Sequence, residues 1–177
     1  MRFKVDNLDL ELVQGDIVSQ TDLEAIVNAA NAQLKIGGGV AGAIHRAAGP
    51  ELEKECEPLA PIQVGEAVIT GGHELPNDYV VHTLGPVYGV DKPEAELLKK
   101  SYRNSLEIAD EKEIESIGFP AISTGAFGYP IKNAAEVSLK TIKNNVEKLN
   151  NLNLIRFVLY SNSDFEVYKE KAEKIYE

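Results

Sequence analysis

Residues Ala25-Ile26-Val27-Asn28-Ala29-Ala30 form a nearly continuous apolar run of strand length, ended by polar Asn31. A strand apolar on both faces has to be covered on both, which places it at the centre of a sheet with helices above and below. Around it the chain alternates between two periods. Residues 2–6 and 8–13 repeat with period two on either side of Asn7 and predict an opening hairpin. Residues 66–70 and 79–84 read as strands joined through Gly71-Gly72 and Pro76-Asn77-Asp78, and residues 116–122 and 154–160 as two more. Helical stretches lie between them: Ala-rich 40–48, stopped by Gly49-Pro50; 51–57; and 93–110, where Leu98, Tyr102, Leu106 and Ala109 share a stripe. Ile131, Ala135, Leu139, Ile142, Val146 and Leu149 mark another helix, and residues 166–176 the last. Strands alternating with helices specify the α/β class, as a three-layer α/β/α sandwich with a mostly parallel central sheet. No repeat, low-complexity tract or linker divides the chain, so one domain over residues 1–177 is expected.

Composition narrows the function. With 28 acidic and 18 basic residues the formal charge is −10, which repels phosphate backbones and anionic membranes and argues against general nucleic-acid binding. Cys56 is the only cysteine, so no intrachain disulfide forms and a zinc cage lacks thiolates; a reducing compartment, the cytoplasm, is expected. Asp6, Asp9 and Glu11 interrupt any secretion signal after Met1-Arg2-Phe3-Lys4, and no apolar run approaches the roughly 18 residues of a membrane span.

In an α/β sandwich, ligands collect where strand ends feed helix N-termini. Two loops qualify, Gly37-Gly38-Gly39-Val40 and Ser123-Thr124-Gly125-Ala126-Phe127-Gly128-Tyr129-Pro130. Each offers unpaired N–H groups at the positive end of a helix, with glycines that admit an anion close to the main chain. A facing pair of such loops suits a diphosphate, held by local dipoles that an acidic surface does not cancel. Gly37, Gly39 and Gly42 satisfy G-x-G-x-x-G, but residues 31–36 separate them from the strand and no acidic residue ends a second strand, so a dinucleotide fingerprint fails; no P-loop is present.

Single residues are less decisive. Asp16, after the second strand, suits a base amino group or, equally, a turn cap. Asn28 and Asn31 must find partners for their amides, a sugar hydroxyl or neighbouring backbone, and Asn31 lies nearer the glycines. His45, His73 and His82 lack metal-ligand spacing; His82, inside an apolar strand, reads as structural. Ser123 is not in G-x-S-x-G and Cys56 has no evident base, so chemistry here calls for activated water. Tyr160, closing the last strand, suits stacking on an aromatic base or a place in the core or rim.

Taken together, Gly15-Asp16-Ile17, Ala25-Ile26-Val27-Asn28-Ala29-Ala30-Asn31, Gly37-Gly38-Gly39-Val40, Ala43-Ile44-His45-Arg46-Ala47-Ala48-Gly49, Val81-His82-Thr83-Leu84-Gly85-Pro86 and the 120–130 segment resemble the macrodomain family of ADP-ribose-binding modules. The resemblance runs through essentially the whole chain and implies a mixed sheet and a cleft for ADP-ribose or ADP-ribosylated proteins; no cofactor is expected, and the histidine spacing indicates no metal. By matching position it implies that Asp16 accepts the adenine amino group with the Ile17 backbone nearby, and that Tyr160 stacks on the adenine. Gly38, Gly39 and Val40 would border the distal ribose and a phosphate, with Asn31 bonded to that ribose. Ser123, Thr124, Gly125, Ala126 and Phe127 would cradle the diphosphate through backbone amides, Phe127 also covering the ribose.

Many hydrolytic relatives carry an aspartate where this chain has Ala41. The expected activity is binding of ADP-ribose and hydrolysis of ADP-ribosyl esters on acidic side chains, or of O-acyl-ADP-ribose, by positioned water, with Asn31 and then Asn28 as catalytic candidates. A non-catalytic reader and an ADP-ribose 1″-phosphate phosphatase are the alternatives. Ala41 favours the reader; a domain with no attached module to deliver favours the enzyme.

Overall fold

A computed structural model describes all residues, 1–177. Seven strands form one sheet: β1 (Arg2–Val5), β2 (Leu8–Gln14), β3 (Ala25–Ala29), β4 (Ala67–Gly71), β5 (Tyr79–Thr83), β6 (Ser116–Phe119) and β7 (Leu154–Leu159), in the order β1-β2-β7-β6-β3-β5-β4. The five inner strands run parallel, and β1 and β4 close the two edges antiparallel. The sheet is therefore mixed and mostly parallel, and every loop after an inner strand opens on the same edge.

Alternation along the strands assigns the two faces. Ala25 and Val27 of β3, with Val81 of β5 and Phe157 of β7, pack under α3 (Glu94–Glu111), α4 (Ile131–Asn145) and α5 (Asn162–Tyr176). Ile26 and Val80 face the other way, under α1 (Gly39–Ala48) and α2 (Pro50–Cys56). The first face is centred on rings: Phe119, Phe157, Tyr102 and Tyr168 are fully buried, with neighbouring centroids 5.2–5.9 Å apart. Each large side chain buried in this way contributes about 1.5–3 kcal/mol. No helix is long and apolar enough to cross a membrane.

Tyr102 also links core to loop. Its hydroxyl donates to the Pro120 carbonyl (3.3 Å) and accepts from the Ile122 N–H (3.1 Å), so α3 holds the loop that follows β6. Two helix bounds differ from the periodic reading. The helix predicted to reach Leu149 stops at Asn145, whose side chain donates to the Thr141 carbonyl (2.7 Å) as the chain tightens into a 3₁₀ turn. The last helix starts at Asn162 because the Ser161 hydroxyl caps it, accepting from the Asp164 N–H at 3.1 Å.

Candidate functional site

The loops after β2, β3, β5, β6 and β7 enclose a cleft at the carboxyl edge of the sheet. Its deep end, about 290 Å³, lies between Gly37–Ala41 and Ala121–Phe127, above Ala29, Ala30 and Gly85. A second part of about 590 Å³ shares Gly39, Val40, Ala121 and Gly125 with the first and extends to Asp16, Ile17 and Tyr160. The two glycine-bearing loops thus face each other across one continuous groove.

Their main chains are open to a ligand. Gly38 precedes α1, so Gly39, Val40 and Ala41 carry first-turn N–H groups without intrahelical acceptors, and the Gly38 N–H is likewise free. In the opposite loop the N–H groups of Ser123, Gly125, Ala126 and Phe127 find no acceptor within the chain. Thr124 does not fit the expected cradle in the same way: its N–H (3.3 Å) and its hydroxyl (2.8 Å) both donate to the Ala121 carbonyl, which closes the turn. The residue lines the outer part of the groove and not the deep end.

Ser123 adopts φ +69°, a left-handed conformation that costs a non-glycine residue about 1–3 kcal/mol and recurs where function fixes the backbone. Its buried hydroxyl has no partner and is seated against Gly85, where any Cβ would collide with it. Gly85 therefore sets how deep this loop sits, a long-range pairing with no local signal in sequence.

Asn31 lines the deep end. Its Nδ2 donates to the Lys35 carbonyl (2.7 Å) and its Oδ1 accepts from the Lys35 N–H (3.0 Å). A carboxamide has two N–H hydrogens and two oxygen lone pairs, so one of each stays available on a side chain already fixed in direction. Asn28 requires a correction. It pairs across β3 and β5 with His82 and points with Ile26 toward α2, 1% exposed, its Nδ2 3.0 Å from His82 Nδ1. It lines neither part of the cleft, so a direct role on a sugar is removed.

Asp16 fills the capping role and also borders the groove. Oδ1 accepts from the Val18 N–H at 3.1 Å and caps a short turn, while the residue lines the outer groove beside the free Ile17 N–H. Tyr160, on the same groove, is 83% exposed. Arg46, Asp164 and Gly85 also line the cleft and were not singled out in sequence. Arg46 was within reach of helical phase, since Gly39, Ala43 and Arg46 fall on one side of α1.

Acid–base groups stay away from the deep end, where no lining side chain is ionisable. His82 is fully buried between Asn28 and Thr70, whose Oγ1 is 2.9 Å from its Nε2; burial, with His45 adding to it, lowers its pKa to about 3 and keeps the ring neutral. Burial, with Glu55 and Glu53 adding to it, raises the Cys56 thiol to about 11, an unreactive state. No group of three His, Cys, Asp or Glu side chains is placed to hold a metal ion.

Comparison with known proteins agrees with this geometry. The Macro domain family model matches residues 27–138. An O-acetyl-ADP-ribose deacetylase of Salmonella typhimurium is 46% identical over 172 residues, 94% of this chain and 91% of that one. An ADP-ribose glycohydrolase of Xenopus laevis is 43% identical over 166 residues, 92% of this chain but 40% of the longer protein. The Oceanobacillus iheyensis macrodomain, solved with ADP, superposes with a TM-score of 0.94 at 42% identity, covering 99% of this chain and 95% of that one; a variant of it was solved with ADPR. With the family model spanning more than half of its length and these relatives nearly all of it, the chain belongs to the macrodomain family.

Proposed function

We propose that the protein binds ADP-ribose along the cleft and hydrolyses ADP-ribosyl esters, on acidic side chains of proteins or in O-acyl-ADP-ribose, with water that it positions. The observation that carries the reading is the convergence of free amides from two facing loops on one groove. Amide dipoles at a helix start and in a tight turn complement a diphosphate without a counter-cation in the deep end. At the outer end the free Ile17 N–H and the Asp16 carboxylate present a donor beside an acceptor, the complement of adenine's N1 and exocyclic amino group, and Tyr160 offers a stacking face. The remaining space, at Asn31, takes the distal ribose and the ester. The relatives named for acting on ADP-ribose derivatives support this assignment.

Ala41 lies at the start of α1 and is 5% exposed, so no carboxylate acts from that position. Water has to be oriented by Asn31, by loop amides and by the substrate's own phosphate, and the factor of about 10²–10⁴ that a general base supplies is missing. Turnover is accordingly slow, and Asn31→Ala lowers it more than it lowers adenine binding. Ala41 also supports a second reading, a binder that retains ADP-ribosylated proteins without cleaving them. Residence in the cytoplasm, where the single buried thiol of Cys56 stays reduced, completes the proposal.

One assay separates the readings. Protein is mixed with a glutamate-linked ADP-ribosylated target and, separately, with O-acetyl-ADP-ribose, and complex formation and product release are followed together. Release from either substrate supports the hydrolase and names the linkage. Retention without release selects the binder, and neither retention nor release overturns both.

A further inference from the structure

The deep end of the cleft offers a diphosphate neutral donors and no cation, in a chain whose net charge is −10. The outer part adds three charged side chains, Asp16, Asp164 and Arg46. Arg46 is the one cation among the residues that line either part. It makes no ion pair within the chain, whereas Arg156 is tied to Glu11 and Asp22 and Arg2 to Glu11. An unpaired guanidinium beside a groove is available to a ligand.

Its direction is as telling as its charge. Long side chains on a helix lean toward the N-terminus, and Arg46 reaches back one turn of α1. Its Nη1 lies 2.8 Å from the point where a Cβ on Gly42 would project, the same point that would collide with the Gly37 carbonyl oxygen. The absence of a side chain at Gly42 is what lets guanidinium and glycine loop come together. The cation therefore rests beside the loop whose N–H groups border the groove, one turn N-terminal to its own Cα.

We propose that Arg46 contacts the diphosphate of the bound nucleotide sugar, closing over it from the α1 side and supplying the one full positive charge of the site. This rests on the reading that a diphosphate occupies the cleft. Guanidinium suits the task because its planar N–H fork meets two phosphate oxygens at once. Screening limits the acidic surface to a range of about 8 Å at physiological salt, so a cation in contact with the ligand outweighs distant carboxylates. Without Arg46 the only charges lining the cleft are the two carboxylates.

The test is calorimetry of wild type, Arg46→Gln and Arg46→Lys with ADP-ribose, ADP and adenosine, at low and high salt. Arg46→Gln should weaken ADP-ribose and ADP by about tenfold or more, the range for hydrogen bonds to charged groups, and leave adenosine within about twofold. Arg46→Lys should recover part of the loss. Added salt should weaken ADP-ribose binding to wild type, whereas with Arg46→Gln salt should leave it unchanged or tighten it by screening the acidic surface. Equal ADP-ribose affinity in wild type and Arg46→Gln would overturn the proposal. So would a loss that is parallel at every salt concentration or equally large for adenosine, since a mere brace for the loop behaves that way. A wild type that fails to bind ADP-ribose at all would overturn the functional reading and this proposal with it.

Discussion

Gly42→Ala separates the stability of the fold from the placement of its glycine loop. In a helix interior, alanine is favoured over glycine by about 1 kcal/mol, and Gly42 has no positive φ to oppose it. The new methyl group would meet the Gly37 carbonyl, which belongs to the backbone and cannot rotate aside, and would press on Arg46 Nη1. Relief requires the loop to move by roughly 1 Å to reach ordinary contact distance. Overpacking costs about 1–3 kcal/mol, and the low end applies because Gly37, Gly38 and Gly39 are exposed and free to yield. The two terms nearly cancel, so the melting temperature should move by no more than about 4 °C. Binding should not cancel. An amide displaced by about 1 Å loses most of its bond to an anionic oxygen, and at about 1.5–3 kcal/mol for each such bond the loss of one or two weakens ADP-ribose at least tenfold. Calorimetry with ADP-ribose and adenosine, beside thermal denaturation, reads both quantities. A well-folded Gly42→Ala protein that binds ADP-ribose as wild type does would refute the claim that the position of this loop controls affinity.

Because the deep end contains no ionisable side chain, the rate of ester hydrolysis should show no protein-derived inflection between about pH 5 and 9, and Ala41→Asp should raise turnover at least tenfold and introduce an acidic limb; a bell-shaped wild-type profile would contradict this. His82 has a folded pKa near 3 against about 6.5 unfolded, so the unfolded chain takes up the proton first. Its contribution is complete above pH 6.5 and is lost progressively down to about pH 3, with a slope of up to about 1.4 kcal/mol per pH unit in urea titrations. A His82→Gln protein with an undiminished slope between pH 6 and 4 would count against that assignment. Burial raises the pKa of the Asp110 carboxyl, but the N–H groups of Asn150, Leu152 and Asn151 more than offset this and hold it below its ordinary value. Asp110→Ala should therefore cost about 1–3 kcal/mol at pH 7, with a smaller difference in acid, and leave ADP-ribose affinity intact.

The central position of β3 was legible because an apolar run of five to six residues has few other places to go, and the facing loops were legible because each glycine cluster stands between a strand and a helix. The direction of Asn28 was not read, although it follows from strand alternation: Ile26 and Asn28 share a face, and that face belongs to α2 and not to the cleft. The captured N–H of Thr124 is not legible, because sequence does not reveal which turn carbonyl takes which N–H. The pairing of Gly85 with Ser123 joins loops far apart in the chain, and only three-dimensional packing connects them. Arg46 lay within the segment that carries the family resemblance, but its use depends on how its side chain folds back over Gly42, which helical phase alone does not state.

The central claim is that main-chain N–H groups from the two loops grip one diphosphate, and backbone amide NMR during an ADP-ribose titration tests it most directly. The amides of Gly38, Gly39 and Val40 should shift together with those of Ser123, Gly125, Ala126 and Phe127, along a single binding curve, and adenosine should move Ile17 while leaving both loops nearly still. Saturation with ADP-ribose that perturbs only one loop, or neither, would contradict it.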